Sequence, residues 1–501
     1  MSDSSQNAAS NDATLRSEID RSLRHPVMFF FTSGALWLFV AVLLGFAANY
    51  KLHDPLFWGP VPAGRLSLAH QNALVYGWGF QASFGAIIWL MARLSRRDSK
   101  NGLLIILAGH IWNGAVSLGV LCLLFGGLYG LPGAGNGMAW LAFPSFLWPV
   151  LLLSYLLIVL WSGVQFQLRD GKNVYISQWY LLAALFAFPW LYGTANLFIF
   201  VLDGHPVMKA AISEWYRGSL VFLFFAPVAI ACAYYLAPKV TGRPVYSYHL
   251  AKFGFWALMI IGPWAGLQKL AGAPIPRHLP YLGAASMVLF LIPALAVAVN
   301  ILRTVTQDES DATKYSPSLR FILGGMVGML LLGVLNLFLF TPSLLAATQF
   351  SLTGYGLNIL ALYGFFSMCA FGLIYFVVPR ITRREWLSRR FIKWHFYLSL
   401  YGVAAIVLFS IFGGLYQGMA QNDAAKPWVV ASGFGVPYAV GTTMAWAFMA
   451  VSNLVFLFHL LLMWARLGRR SSHPTLLDGG HHGASPHGPE GDIDELSAAN
   501  A

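Results

Sequence analysis

Apolar residues in this chain come in long blocks rather than in strict alternation. A helix that crosses a bilayer needs about 20 mostly apolar residues, because each residue rises only 1.5 Å against a hydrocarbon layer of about 30 Å. Twelve such blocks follow one another, at 27–49, 68–92, 102–127, 138–163, 176–201, 212–237, 250–271, 281–302, 319–341, 353–378, 394–416 and 436–465. Polar turns, such as Arg169-Asp170-Gly171-Lys172 and the run 308–314, separate them. The pattern predicts an all-α integral membrane protein, a bundle of twelve transmembrane helices over residues 27–466. Before it, residues 1–26 form a polar lead that lacks the short basic start of a cleaved signal peptide, so the first block reads as a retained helix. After it, residues 467–501 are rich in Gly, Ser, Pro and acid, with no apolar periodicity. Such a segment buries too little surface to fold alone and is expected to be a disordered, solvated tail.

Composition agrees. Of 501 residues, 58% are hydrophobic and only 10% charged, where a soluble domain carries about 25%. The formal charge of +12 would suggest nucleic acid as partner in a soluble chain. Here its distribution gives a different answer. With both termini and every second loop on one side, that side holds twenty-four of the Lys and Arg residues and the other holds seven. Basic residues accumulate in cytoplasmic loops, so both termini are expected in the cytoplasm, the partner is the lipid bilayer, and no nucleic acid is implied. Cys122, Cys232 and Cys369 lie far apart inside apolar blocks. They form neither a zinc ribbon nor a haem-attachment motif. The tail carries His473, His481, His482 and His487, a type of tract that can bind copper, nickel or zinc, but at this density a solvated tail is the simpler reading.

Function in a membrane protein announces itself through polar groups that the bilayer makes expensive. His110, His249, His395 and His459 fall in the cytoplasmic halves or ends of their helices. His70 alone lies towards the outer end of its helix, without another histidine at its level. Glu214 and Arg217, three residues apart and so on one helix face, stand near the outer start of the sixth block. Gln268 and Lys269 stand near the outer end of the seventh. Two readings of this group are open: interfacial charges whose stems snorkel to the headgroups, or a buried ion-pair cluster in which Glu214 balances Lys269 or Arg217.

These residues also carry a resemblance. Gly64-Arg65-Leu66-Ser67-Leu68-Ala69-His70-Gln71-Asn72-Ala73 resembles the second helix of the catalytic subunit of cbb3-type cytochrome c oxidases, in the haem–copper oxidase superfamily. Glu214-Trp215-Tyr216, Arg243-Pro244-Val245-Tyr246-Ser247-Tyr248, Phe255-Trp256-Ala257-Leu258 and Trp264-Ala265-Gly266 are similar to its sixth and seventh helices. Tyr363-Gly364-Phe365, Ile374-Tyr375 and Val378-Pro379-Arg380 resemble its tenth. Trp394-His395-Phe396 with Gly414-Leu415-Tyr416-Gln417-Gly418 resembles its eleventh. The match is collinear from about 27 to 466 and implies the subunit I type of twelve-helix bundle in a bacterial-type inner membrane.

The resemblance implies ligands that are not here. The family's oxygen-reducing centre takes a copper on three histidines, one on the sixth helix and an adjacent pair on the seventh; the matching places hold Gly218 and Gln268-Lys269. The family's tyrosine on the seventh helix, bonded to a copper ligand, matches Gly262. The two histidines of H-x-H on the tenth helix match Leu357 and Ile359, and no histidine occurs anywhere between His278 and His395. Glycine and leucine have no side-chain donor atom, and lysine has a lone pair only if burial deprotonates it. Of the family's six histidines His70 remains, the ligand of the low-spin haem. No copper centre is therefore expected, and at most one haem b, through His70.

Three functions follow. The favoured one is a cytochrome c oxidase subunit I-like protein without oxygen-reducing chemistry, in which Glu214, Arg217, Gln268 and Lys269 take the copper's place and the bundle is a non-catalytic subunit, assembly or interaction module. That cluster would also suit a small anion, a point the sequence leaves open. The alternatives are a haem-binding electron-transfer protein and a terminal oxidase subunit of an aerobic or denitrifying respiratory chain. Both alternatives call for a c-type cytochrome or another respiratory membrane subunit as partner. One expectation is independent of that choice: deleting the residues after Arg470 leaves membrane insertion and thermal stability unchanged, as checked by membrane fractionation and a detergent unfolding curve.

Overall fold

In the computed structural model, which describes residues 2–99, 102–127, 132, 137–171, 173–306 and 316–470, twelve helices among the described residues are long and apolar enough to cross a membrane. They are α1 (Asn11–Tyr50), α2 (Ala63–Leu94), α3 (Gly102–Phe125), α4 (Leu147–Gln167), α5 (Ile176–Val201) and α6 (Pro206–Thr241). Then come α7 (Tyr248–Leu270), α8 (His278–Thr306), α9 (Pro317–Leu339), α10 (Thr353–Thr382), α11 (Arg389–Gln421) and α12 (Trp428–Trp464). The helix of α1 starts already at Ser2, so the polar lead is continuous with the first span. Its acids dock on the end of α2: Trp89 Nε1 donates to Asp20 at 3.0 Å, Arg93 lies 3.4 Å from the other Asp20 oxygen, and Arg96 lies 2.9 Å from Asp12. Residues 467–470 are also held, with the Glu385 N–H donating to the Arg469 carbonyl at 2.9 Å and Arg384 donating to that of Gly468 at 2.7 Å. The rest of the tail, with its four histidines, lies outside the described residues.

The bundle has a centre and a rim. The most apolar stretches of α2, α6 and α10 are entirely buried, whereas those of the other nine spans are buried over only about half their length. The rim helices turn their remaining apolar side chains outward, among them Trp256, Ile260, Tyr401, Phe412, Leu454 and Phe458. An apolar outer face is what lipid requires, since no water is available to reward a polar one. Each central helix carries one widened, π-helical turn: Ala73–Gly79, Val221–Phe225 and Leu360–Ser367. The three turns meet. Gly79 faces the Phe225 ring, Phe225 packs edge-on to Phe366 at 4.9 Å, and Trp78 Nε1 donates to Ser367 Oγ at 2.7 Å. A widened turn strands carbonyls, and serines one turn on collect them: Ser83 donates to Gly79 and Ser367 to Leu362, each at 2.7 Å.

Two apolar blocks differ from the helices they predict. The block at 138–163 begins its helix only at Leu147. Residues 140–143 are apolar because they fold into the core: Trp140 and Phe143 are buried, Trp140 takes a left-handed backbone, and its carbonyl accepts the Tyr76 hydroxyl. The block at 250–271 is regular only to Ile261. A short helix not expected from hydropathy, Pro342–Thr348, also sits between α9 and α10.

Close packing of α9 on α10 depends on Gly328, where a Cβ would strike the Gly364 carbonyl; Gly163, by contrast, has open space around it. Gly328→Ala should therefore cost about 1–3 kcal/mol as an overpacked contact with backbone and lower the detergent unfolding midpoint. Gly163→Ala should leave the midpoint unchanged or raise it slightly. Equal behaviour of the two variants would contradict this packing.

Candidate functional site

The Gly262-Pro263 step ends the regular part of α7. A tight turn over Gly262–Trp264 gives way to extended backbone at Ala265, a left-handed Gly266 with φ of 100°, and a second tight turn over Leu267–Leu270. Irregular backbone at membrane depth survives only if its polar groups find partners. Here side chains supply them. Ser286 Oγ donates to the Ile261 carbonyl at 2.7 Å, Trp215 Nε1 to that of Pro263 at 2.7 Å, and Gln349 Nε2 to those of Lys269 and Ala271 at 2.7 and 2.8 Å.

Glycines let this strand of chain press against its neighbours. A Cβ on Gly218 of α6 would fall onto the backbone of Ala265 and Gly266. One on Gly266 would strike the Glu214 carbonyl, and one on Gly283 of α8 the backbone N of Gln268. α6, α8 and the unwound end of α7 are thus in backbone contact.

That contact brings together the four polar residues singled out by sequence. Arg217 Nη2 bonds Glu214 Oε2 directly, and Lys269 Nζ lies 3.5 Å from the same oxygen. The three side chains retain only 14–23% of their exposure, so the group is a largely buried ion-pair cluster rather than a snorkelling fringe. Gln268 is fully buried, and its amide oxygen accepts the Gly266 N–H at 2.9 Å. Its Nε2 has no partner, nor has Arg217 Nε. Arg217, Gln268 and Lys269 line one side of a cavity of about 40 Å³, which Leu357 and Asn358 of α10 and Phe222 of α6 help to close.

His70 is elsewhere. It is 1% exposed, and its hydrogen-bond and ring partners, Ala41, Tyr355 and Trp446, lie outside the cluster. Its Nδ1 donates to the Ala41 carbonyl at 2.7 Å, a bond that fixes the tautomer and turns the Nε2 lone pair towards the Tyr355 hydroxyl at 3.5 Å. That hydroxyl already accepts from Trp446 Nε1 at 2.9 Å and Asn49 Nδ2 at 3.2 Å, so its own proton is free for His70. The Trp446 ring stands edge-on to the imidazole at 4.9 Å. The Tyr355 hydroxyl therefore stands on the Nε2 side, where an iron would bind. Leu357 and Ile359 are buried apolar residues, and no group of three or more His, Cys, Asp or Glu side chains among the described residues is placed to hold a metal. The donor sets present do not fit a haem–copper centre.

Three of the other four membrane histidines named from the sequence pack on aromatic rings. His110 stacks on Phe29 at 4.6 Å and bonds the Ile106 carbonyl at 2.8 Å, while His249 is exposed. His395 pairs with the Tyr375 hydroxyl at 2.8 Å and stacks on Phe456, and His459 lies against Trp386. Sequence reasoning missed Asn49, Tyr355 and Trp446 as the surroundings of His70. The one available signal was a polar residue inside an apolar block, which Asn49 is.

The family model described as cytochrome C and quinol oxidase polypeptide I matches residues 25–455. The chain is 24% identical to cytochrome c oxidase subunit 1 of Rhodobacter capsulatus, over 88% of this chain and 84% of that one. It is 24% identical to the cbb3-type cytochrome c oxidase subunit CcoN1 of Stutzerimonas stutzeri (77% and 83% covered) and to a cytochrome c oxidase subunit 1 homolog of Azorhizobium caulinodans (76% and 70%). A solved haem–copper terminal oxidase dimer superposes with a TM-score of 0.69 at 13% identity, over 94% of this chain and 88% of that one.

The cluster geometry makes a stability prediction. Glu214 is the only carboxylate that Arg217 and Lys269 share among the described ion pairs. Glu214→Gln should strand two buried cations and cost about 3–5 kcal/mol. Lys269→Met leaves the Arg217–Glu214 bond and should cost less, and the double variant should recover part of the Glu214→Gln loss. A double-mutant cycle read by thermal unfolding checks this; additive losses would refute the coupling.

Proposed function

Because the chain belongs to the cytochrome c and quinol oxidase polypeptide I family, we propose that it is a cbb3-type subunit I-like scaffold that works without the family's oxygen-reducing centre. It acts as a non-catalytic membrane subunit, an assembly factor or an interaction module. One observation carries this reading. At Gly218, where the family's sixth-helix copper ligand would stand, the backbone of Ala265 and Gly266 lies where a side chain would begin. A histidine there is excluded unless the end of α7 moves. The places of the histidine pair are taken by Gln268, tied to Gly266, and Lys269, paired with Glu214.

The chain is a multi-pass membrane protein of the oxidase family. In the proposed reading it lies in a bacterial-type inner membrane with both termini in the cytoplasm, which puts the Glu214–Arg217–Lys269 cluster towards the outer face. Its exposed apolar rim meets lipid, and another respiratory membrane subunit, a c-type cytochrome included, is the class of protein partner it would serve. His70 then has a packing role, holding α1 through Ala41 and α10 through Tyr355.

The test is a reduced-minus-oxidised optical spectrum of the purified full-length protein, with iron and copper quantified on the same sample. The expected result is neither haem nor copper at stoichiometric level. One haem without copper, lost in His70→Ala, would replace this reading with electron transfer. Two haems and one copper would establish a terminal oxidase subunit.

A further inference from the structure

The cavity beside the cluster has an unbalanced wall. Arg217 and Lys269 share one carboxylate, Glu214, which leaves one positive charge in excess. Two donors of the lining residues are also unspent, Arg217 Nε and Gln268 Nε2. Gln268 is fully buried, and the Gly266 N–H on its amide oxygen leaves the NH₂ end as the one without a partner. Buried donors in folded proteins almost always meet an acceptor, and a buried cation needs a counter-charge. Water could satisfy the donors but not the charge. An anion satisfies both.

Size narrows the class. A cavity of about 40 Å³ accommodates about three waters, at roughly 10–15 Å³ for each. That is room for one halide- or nitrite-sized ion, and far too little for a phospholipid headgroup. Phe222, Leu332 and Leu357 supply apolar lining and Asn358 a neutral amide; no carboxylate among the lining residues repels an anion, and the low polarity of the apolar part strengthens the attraction to the cations.

We propose that this cavity binds one small monovalent inorganic anion, held by Arg217, Lys269 and the Gln268 amide. The proposal rests on the reading that no metal takes this place. Bound there, the anion would complete the contact between α6 and the unwound end of α7, so that occupancy and the rigidity of this corner rise together.

The experiment is equilibrium binding of radiolabelled chloride to the purified full-length protein in gluconate buffer, with copper and iron measured on the same preparation. Saturable uptake of one chloride per chain, displaced by nitrite, is expected. Gln268→Leu and Lys269→Met should each weaken it about tenfold or more, as expected for loss of a hydrogen bond to a charged group. Ala361→Phe fills the cavity without touching a charge and should abolish it, which keeps the test decisive if Lys269→Met does not fold. A metal-free chain without saturable uptake would overturn the anion site and leave the scaffold reading standing. Uptake that survives both Ala361→Phe and Gln268→Leu would place the ion elsewhere and overturn the site too. Stoichiometric copper would overturn both.

Discussion

The backbone contact between α6 and the end of α7 governs the rest of the site. Gly218 and Gly266 have no side chains to keep the two segments apart, and Gly283 lets α8 close from the other side. Once α7 leaves its helix at Gly262-Pro263, its carbonyls must be met inside the protein, because lipid offers nothing to bond them. The partners, Trp215, Ser286 and Gln349, come from α6, α8 and the connection before α10. The unwound segment therefore ties together elements far apart in sequence, and it fixes the register that sets Lys269 opposite Glu214.

The charge cluster and the His70 network treat buried polarity differently. Around His70 the protons are accounted for: imidazole to Ala41, tyrosine to imidazole, tryptophan and asparagine to tyrosine. Each group has a partner, and the ring reads as a closed joint between α1, α2, α10 and α12. Around Glu214 the sum is incomplete, with two cations on one carboxylate and two donors unspent beside a cavity. A satisfied network holds a structure together; an incomplete one beside a cavity is where a ligand belongs. Within the proposed reading, the oxidase framework is kept as architecture while the corner assigned to copper has been rebuilt from backbone and charge.

The central helices are held to one another by contacts of a different kind. The widened turns of α2, α6 and α10 interlock through Trp78, Phe225, Phe366 and Ser367. The packing there is aromatic and uses none of the positions discussed as ligands.

The hydrophobic blocks by themselves determined twelve spans, because a bilayer of fixed thickness demands a run of fixed length and no tertiary detail is needed to satisfy it. The sequence also determined that α10 has no histidine, since an absent residue type cannot be supplied by folding, and it marked Glu214, Arg217, Gln268 and Lys269 as costly enough to need a reason. Only the tertiary structure decided the rest. Apolar residues that line the core and apolar residues that face lipid look alike in a sequence, so the folded-in stretch at 140–143 and the unwound end of α7 both read as helix. Pairing between helices depends on which faces of distant segments meet, so the joining of Lys269 to the local Glu214–Arg217 pair, and of Tyr355 and Trp446 to His70, was decided only in three dimensions. The cavity belongs to the same class: it lies between helices, in a space that no single segment encodes.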